Sequence, residues 1–193
     1  RAIVAAVGMA LLVLAAPLAA SAGGLQADPS TTTTTAPVDP NAPDASGVKG
    51  GEAISDLADC IQGSKHLAVV FLIDQSGSLG KSDPNNTRVD AAKAALDSLV
   101  SLTQGTKEEQ AQVDVTFAAF SNTYYPVRDW TVVSNRTQPA MVRTIEGFKK
   151  RNQGTDTDFV TALDGARKEL ADHSAQVTAA GQPEPCKAIV LFT

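Results

Sequence analysis

The sequence predicts an α/β fold, in which a doubly wound, mainly parallel β-sheet carries helices on both faces. The first observation is a run of seven apolar residues at 67–73, which is typical of a strand buried on both faces of a parallel sheet. The second is the alternation of strand and helix patterns along the chain that follows. The third is a group of polar residues directly after residue 73, where open α/β sheets bind ligands.

The composition allows one domain of ordinary size with tails, and it argues against nucleic acid as a partner. The chain has 193 residues, of which 43% are hydrophobic and 19% are charged, and its formal net charge is -5. It contains no cluster of Lys and Arg that could neutralise phosphates. The basic run at 149–151 is typical of the solvated end of a helix.

The first 22 residues predict export. Residues 2–16 are almost wholly apolar, follow Arg1, and precede a small-x-small site, Ala20-Ser21-Ala22. This pattern predicts a secretory signal peptide over residues 1–22, so we expect a secreted or cell-surface protein. The alternative, an uncleaved anchor, would be the only membrane contact, but roughly 15 apolar residues are short for a span.

Residues 23–51 predict a disordered linker. They are rich in Pro, Thr, Ser, Gly and Asp, include an unbroken row of threonines at 31–35, and show no apolar period. Such a segment cannot bury enough apolar surface to fold. The threonines are either glycosylated or unmodified, and we expect the folded domain over residues 52–193.

The two cysteines, Cys60 and Cys186, predict one disulfide in an exported chain. Each lies shortly before a predicted strand, so both lie at the same edge of the sheet if those strands are neighbours. In the chain-entropy model, closing so long a loop raises the free energy of unfolding by roughly 4 to 5 kcal/mol. The alternative is a pair of buried free thiols.

The segments after residue 78 supply the next elements. A polar stretch at 79–86 precedes a helix that is capped by Asn86 or Thr87 and reaches about residue 102. Its apolar residues share one face, which is predicted to point inward: Val89, Ala92, Leu96 and Leu99. Its charged residues lie outside that face: Arg88, Asp90, Lys93 and Asp97. A strand is predicted at 113–120, and an edge strand or hairpin at 124–133.

Two further helices and a last strand complete the pattern. One helix is predicted over residues 137–150, and a second extends from the segment at 153–158 to about Ser174. Their predicted inward residues are Met141, Ile145 and Phe148 in the first, and Phe159, Leu163, Ala166 and Leu170 in the second. A loop at 176–185 leads to a strand at 187–193.

Three polar side chains after the first strand indicate a cation site. Asp74, Ser76 and Ser78 can point their oxygens at one spot if the loop curls, and Gly77 permits the curl. Oxygen ligands of low total charge suit a hard divalent cation, Mg²⁺ first, with water filling the vacant positions. The residue types alone do not exclude Mn²⁺ or Ca²⁺ as the bound ion.

A second loop supplies a further hydroxyl. Gly154-Thr155-Asp156-Thr157 stands at the entry to the last helix, where the sheet topology places it at the same edge. We expect Thr155 to be the fourth oxygen ligand. Thr157, Asp156 or Asp158 is then expected to cap the helix.

At these residues the sequence resembles a known family. LIDQSGS at 72–78, QGTDTDFVTAL at 153–163 and KAIVLFT at 187–193 resemble the von Willebrand factor type A domain, and the first two pieces resemble its metal-ion-dependent adhesion site. The resemblance covers about residues 67–193. It implies a doubly wound fold and a metal held by Asp74, Ser76, Ser78 and Thr155.

The resemblance also implies how such a site works. A bound ion keeps an open coordination position, which a Glu or Asp carboxylate of a protein partner fills. The family expects a fifth residue, an Asp, directly after residue 193, so we expect the domain to continue there. The stretch at 79–86 is longer than in integrin-type domains and would lie beside the metal, where Asp83 could approach the ion.

Enzyme functions fit the residues poorly. A phosphatase of the haloacid dehalogenase type needs a second Asp two residues after the first, where this chain has Ser76. Neither the G-x-S-x-G motif of serine hydrolases nor the G-x-G-x-x-G motif of dinucleotide-binding proteins is present in the required context. His66 and His173 are expected on the surface, so we expect no catalysis.

Two binding functions remain. The first is an exported adhesion module that binds a protein with an acidic side chain. The alternative is an assembly or sensing subunit that holds another protein of the membrane or envelope. Sequence beyond residue 193 would separate them, because a sorting signal or stalk supports adhesion and a transmembrane span supports assembly or sensing.

Overall fold

The computed structural model describes residues 50–106 and 110–193. Its helices are α1 (Gly50–Ser64), α2 (Leu79–Ser82), α3 (Thr87–Leu102), α4 (Gln138–Glu146) and α5 (Phe159–Ala179), with a 3₁₀ helix at Gly147–Lys150. Its strands are β1 (His66–Asp74), β2 (Gln112–Phe120), β3 (Tyr124–Val132) and β4 (Cys186–Phe192). The predicted signal peptide and the predicted linker up to residue 49 lie outside the described residues.

The four strands form one mainly parallel sheet in the order β3-β2-β1-β4. Strand β1 pairs in parallel with β2 on one side and with β4 on the other. Strand β3 runs antiparallel at the edge next to β2, which confirms the predicted edge strand. All nine residues of β1 are buried, as the unbroken apolar run predicts for a central strand.

Helices cover both faces of the sheet, so the predicted fold class is confirmed. Alternate side chains of β1 point to opposite faces. One face packs with α3 and α4 in a core that includes Phe71, Val89, Leu96, Met141 and Ile145. The other face packs with α5 in a smaller core that includes Val70, Leu72, Ala162, Ala166 and Leu170.

This topology positions the site. The chain leaves β1 through α3 to reach β2 on one side, and it reaches β4 through α5 on the other side. Where neighbouring connections leave a sheet in opposite directions, a crevice opens beyond the carboxyl ends of the strands. The crevice here lies at Asp74, the last residue of β1.

The disulfide between Cys60 and Cys186 is confirmed. The bond joins α1 to the first residue of β4, and the two Cα atoms are 6.0 Å apart. Leu67 of β1 pairs with Cys186, so both cysteines lie at the amino-terminal edge of the sheet, as predicted.

The predicted inward face of α5 was wrong in part. Ala166 and Leu170 are buried, but Phe159 is 42% exposed and Leu163 is 39% exposed. The helix begins at Phe159 and buries a different stripe, consisting of Ala162, Ala166, Leu170, His173, Ser174 and Val177. It also continues to Ala179, five residues beyond the predicted end, and Val177 in this additional part is buried.

Three polar residues that were predicted outside the core are buried. Arg88 is only 3% exposed, although the helical pattern placed it outward, because its guanidinium has partners on neighbouring segments. His66 and His173 were predicted on the surface, and both are buried beside Asp114. Hydrogen-bond partners make the burial of such groups tolerable.

The segment before α3 differs from the predicted polar loop. Leu79 is buried and begins the short helix α2. Asn86 occupies the cap position of α3 but makes no side-chain cap, and the carboxylate of Asp83 instead accepts a hydrogen bond from the Thr87 backbone N–H at 2.6 Å. Across residues 50–106 and 110–193, no helix has the length and apolar character required to cross a bilayer.

Candidate metal site

Asp74 is the centre of the candidate site. It ends β1 and is only 2% exposed. Its Oδ1 accepts a hydrogen bond from the backbone N–H of Ser76 at 2.7 Å, and its Oδ2 accepts one from the hydroxyl of Thr193 at 2.7 Å. Within the described residues this carboxylate forms no ion pair, although buried carboxylates are usually paired with a cation.

The two predicted serine ligands lie beside it. The Oγ atoms of Ser76 and Ser78 are 3.1 Å apart, so the loop does curl and bring both hydroxyls together. Ser76 is buried and Ser78 is exposed, which places the pair between the protein interior and the open crevice.

The loop with Thr155 is joined directly to the serine loop. The backbone N–H of Gly77 donates to the carbonyl of Gly154 at 2.7 Å, and the N–H of Gly154 donates to the carbonyl of Gln75 at 3.0 Å. A Cβ on Gly154 would lie 2.2 Å from the Cβ of Ser121, so only glycine permits this close approach. Thr155, the next residue, is therefore held at the same edge as the serines.

The two threonines of this loop line different hollows. Asp74, Ser78 and Thr157 line one cavity of about 390 Å³, together with Phe159 and Thr193. Thr155 lines the neighbouring hollow with Gln75 and Ser121. Asp158, one of the three predicted caps, is the N-cap of α5, and its carboxylate accepts a hydrogen bond from the Thr161 N–H at 3.0 Å.

Thr157 and Thr193 therefore join the candidate site although neither was predicted as a ligand. For Thr157 a signal was available, because Thr155 and Thr157 stand at alternate positions of one loop. Thr193 follows the last apolar strand, and its contact with Asp74 depends on the pairing of β4 with β1.

Asp83 lines the same cavity as Asp74, but its oxygens already accept hydrogen bonds. Oδ1 accepts from the backbone N–H and the hydroxyl of Thr87, each at 2.6 Å, and Oδ2 accepts from Arg88 at 2.7 Å. Burial acts to raise the pKa of Asp83, and these hydrogen bonds outweigh it and hold the pKa below its ordinary value. The approach of Asp83 to an ion stays a prediction.

The donors fit a hard divalent cation. They are one carboxylate and several hydroxyls, all oxygen, which is the ligand chemistry of Mg²⁺. Elsewhere in the described parts of the chain, no group of three or more His, Cys, Asp or Glu side chains is arranged to hold a metal ion. A site with a single carboxylate leaves half of a divalent cation's charge uncompensated.

Comparison with known proteins gives one family match. A model of the von Willebrand factor type A domain matches residues 69–193. A search among curated proteins finds no match.

Several solved structures are similar over part of the chain. A von Willebrand factor type A protein from Catenulispora acidiphila is 15% identical, with a TM-score of 0.44, over 64% of this chain and 25% of that one. The PilB minor pilin from Streptococcus sanguinis is 21% identical, with a TM-score of 0.46, over 69% of this chain and 30% of that one. The vWF domain of the type V pili tip protein Mfa5 from Porphyromonas gingivalis is 22% identical, with a TM-score of 0.38, over 55% of this chain and 33% of that one. The chain spans a third or less of each of these structures.

Proposed function

The chain belongs to the von Willebrand factor type A family, and on that premise we propose that it is a metal-dependent protein-binding module. Asp74, Ser76, Ser78 and Thr155 hold a divalent cation, Mg²⁺ in the first place, and an acidic side chain of a protein partner completes its coordination. The module acts by adhesion and not by catalysis.

One observation carries this proposal: Asp74 is buried, forms no ion pair with any described residue, and lines an open cavity. Asp74 accepts from the backbone N–H of Ser76 and from the hydroxyl of Thr193, and the hydroxyls of Ser76 and Ser78 lie together on the loop that follows it. Hydroxyl oxygens can turn their lone pairs toward a cation. A divalent cation in the cavity would supply the missing positive charge.

The low charge of the donor set explains why a partner's carboxylate would bind. A single Asp neutralises only part of a divalent charge, so the bound cation still attracts an anion. Since Mg²⁺ keeps several exchangeable waters when proteins supply few ligands, a carboxylate can replace one of them. The cation itself supplies the electrostatic attraction, and the four side chains orient it toward the crevice.

We also propose that the module acts outside the cell, as a secreted or cell-surface protein. The bond between Cys60 and Cys186 supports this location, because disulfides form and persist in oxidising compartments.

The proposal is tested by titrating the full chain with Mg²⁺ in a calorimeter. Wild type is expected to bind, and Asp74→Ala is expected to lose binding by about 100-fold or more, because it removes the only carboxylate among the proposed ligands. Asp172→Ala is the matched control, since this Asp is exposed on α5 and pairs only with Lys168 in its salt bridge. If wild type shows no Mg²⁺ binding, or Asp74→Ala binds as well, the proposal is wrong.

The same titration separates the two threonines. If Thr155 is the ligand, Thr155→Ala weakens Mg²⁺ binding and Thr157→Ala does not. The reverse result would transfer the ligand role to Thr157, which lines the cavity of Asp74.

A further inference from the structure

Arg88, in the first turn of α3, carries a fully buried guanidinium beneath the candidate site. A guanidinium has five N–H donors in a fixed planar fork. Each of them has an acceptor here: the Asp74 carbonyl for Nε (3.1 Å), Asp83 Oδ2 (2.7 Å) and Asn86 Oδ1 (3.4 Å) for Nη1, and the Phe148 carbonyl (3.1 Å) and Asn152 Oδ1 (2.5 Å) for Nη2.

These acceptors belong to the segments that surround the candidate site. The Asp74 carbonyl is the point where β1 turns into the serine loop, and Asp83 lies on the stretch that lines the cavity. Asn152 immediately precedes the segment of Thr155 at 153–158, and Phe148 lies in the 3₁₀ helix before it. One side chain therefore joins the end of β1 and the stretch before α3 to a segment that is distant in the sequence.

The bond to Asn152 extends to the loop pairing itself. The next two residues, Gln153 and Gly154, donate their backbone N–H groups to the Gln75 carbonyl at 3.1 and 3.0 Å. The Gly154 carbonyl in turn accepts from the N–H of Gly77 at 2.7 Å. A shift of Asn152 would therefore move the threonine loop relative to the serine loop.

We propose that Arg88 is a positioning residue of the metal site: it holds the serine loop and the threonine loop in the arrangement that the cation needs before the cation binds. The inference rests on the proposed function for what the loops bind. Arg88 acts through Asp74 and Asn152 and does not touch the cation. Lysine cannot replace it, because an ammonium group lacks the planar fork that reaches acceptors on opposite sides.

The simpler alternative is that Arg88 and Asp83 form a buried ion pair that only stabilises the fold. Both roles of Arg88, positioning the loops or only stabilising the fold, predict a lower melting temperature when Arg88 is substituted. Only the positioning function predicts weaker metal binding by protein that is still folded, and looser pairing of the two loops in metal-free protein.

The experiment compares wild type, Arg88→Lys and Asn152→Ala, with Asn135→Ala as the control. Asn152→Ala removes one bond of the guanidinium and keeps the pair of Arg88 with Asp83. Asn135 undergoes the same chemical change, but it is exposed and follows the end of β3 at the opposite end of the sheet. Its Oδ1 accepts a hydrogen bond from Gln104, which is also exposed. Mg²⁺ affinity is measured at a temperature where every variant is folded, and amide exchange is followed in the absence of metal.

Both site variants are expected to bind Mg²⁺ about 10-fold more weakly than wild type, the range observed when supporting partners of metal ligands are removed. The Gly77 and Gly154 amides are expected to exchange about 10-fold faster, while amides of β1 stay unchanged, because local opening does not require global unfolding. Asn135→Ala is expected to match wild type in both measurements.

The outcomes separate the inference from the proposed function. If the variants melt earlier but keep the wild-type affinity and the wild-type exchange of Gly77 and Gly154, Arg88 only stabilises the fold and the inference is overturned. If wild type itself binds no Mg²⁺, the proposed function fails, and amide exchange alone decides whether Arg88 positions the loops. If Arg88→Lys does not fold, Asn152→Ala decides by the same two readouts.

Discussion

The two ends of the parallel sheet each bury a carboxylate, and their surroundings differ. At the amino-terminal end, Asp114 Oδ2 lies 2.8 Å from Nε2 of His66 and 3.0 Å from Nε2 of His173. At the carboxyl-terminal end, Asp74 is met by one backbone N–H and by the hydroxyl of Thr193. Nitrogen donors from side chains satisfy the first carboxylate, and oxygen atoms surround the second.

The amino-terminal end is also closed by packing. The indole of Trp130 stacks on the imidazole of His173, with ring centroids 3.9 Å apart, and Gln112 donates to Asp114 Oδ1 at 3.1 Å. The end at Asp74, by contrast, opens into a cavity that Asp74, Ser78 and Thr193 line. Asp114 is surrounded by donors that stabilise it within the fold, whereas Asp74 has one hydroxyl contact and open space beside it, as the proposed cation site requires.

The disulfide at the amino-terminal end of the sheet contributes most to stability. Replacing Cys60 and Cys186 with serine is expected to lower the free energy of unfolding by about 5 kcal/mol, because the disulfide closes a loop with a sequence separation of 126 residues. The measurement is chemical denaturation of the oxidised wild type and the double variant. Mg²⁺ affinity of the folded variant should stay within about twofold of wild type. If the binding free energy of Mg²⁺ fell by as much as the free energy of unfolding, the two ends of the sheet would not be energetically independent.

The next effect compares the two carboxylates directly. Asp114→Ala is expected to cost about 3 kcal/mol, because two buried imidazoles lose their shared acceptor. In metal-free protein, Asp74→Ala is expected to cost about 1 kcal/mol or less, because the change also removes a buried carboxylate without an ion pair. Denaturation of both variants tests the comparison, and equal losses would contradict it.

A smaller effect is expected for Asp83, which lines the same cavity as Asp74. The pKa of Asp83 is lower in the folded protein than its ordinary value of 3.8. The hydrogen bonds to the ionised carboxylate therefore stabilise the protein fully above pH 3.8, and this stabilisation is lost as the pH falls through the folded pKa. Asp83→Asn is expected to cost about 2 kcal/mol at pH 7, the value typical of hydrogen bonds to a charged group. Denaturation at pH 7 and at acid pH should show this difference shrinking below pH 3.8. A difference independent of pH would show that the charge of Asp83 contributes nothing to stability.

Short-range patterns predicted much of the fold and part of the candidate site. The unbroken apolar run identified β1, since a central strand buries both of its faces. The serine loop followed from its place after that strand, and its two hydroxyls do lie together. The disulfide followed from two cysteines that each precede a strand. These features depend on neighbours in sequence or on one strand pairing.

The errors at charged and polar residues share one physical cause: partners that are distant in sequence. Arg88 was placed outside the core because it is charged, but its acceptors include residues 60 and 64 positions away. His66 and His173 were placed on the surface because no motif surrounds them, but Asp114 lies 48 and 59 positions away. Phe159 was placed in the core because it is apolar, but it is the first residue of α5 and stays 42% exposed, although its ring lies against that of Phe120.

The class of fold, the strand at its centre and the oxygen-rich loop at its end were predictable from the sequence, because apolar periodicity and turn chemistry act over a few residues. Which polar groups are buried, and which buried carboxylate forms no ion pair among the described residues, became clear from the three-dimensional arrangement alone. Both depend on donors and acceptors that the strand order and the two helical layers bring together. A residue's type sets the cost of burying it, and partners from elsewhere in the chain decide whether that cost is offset.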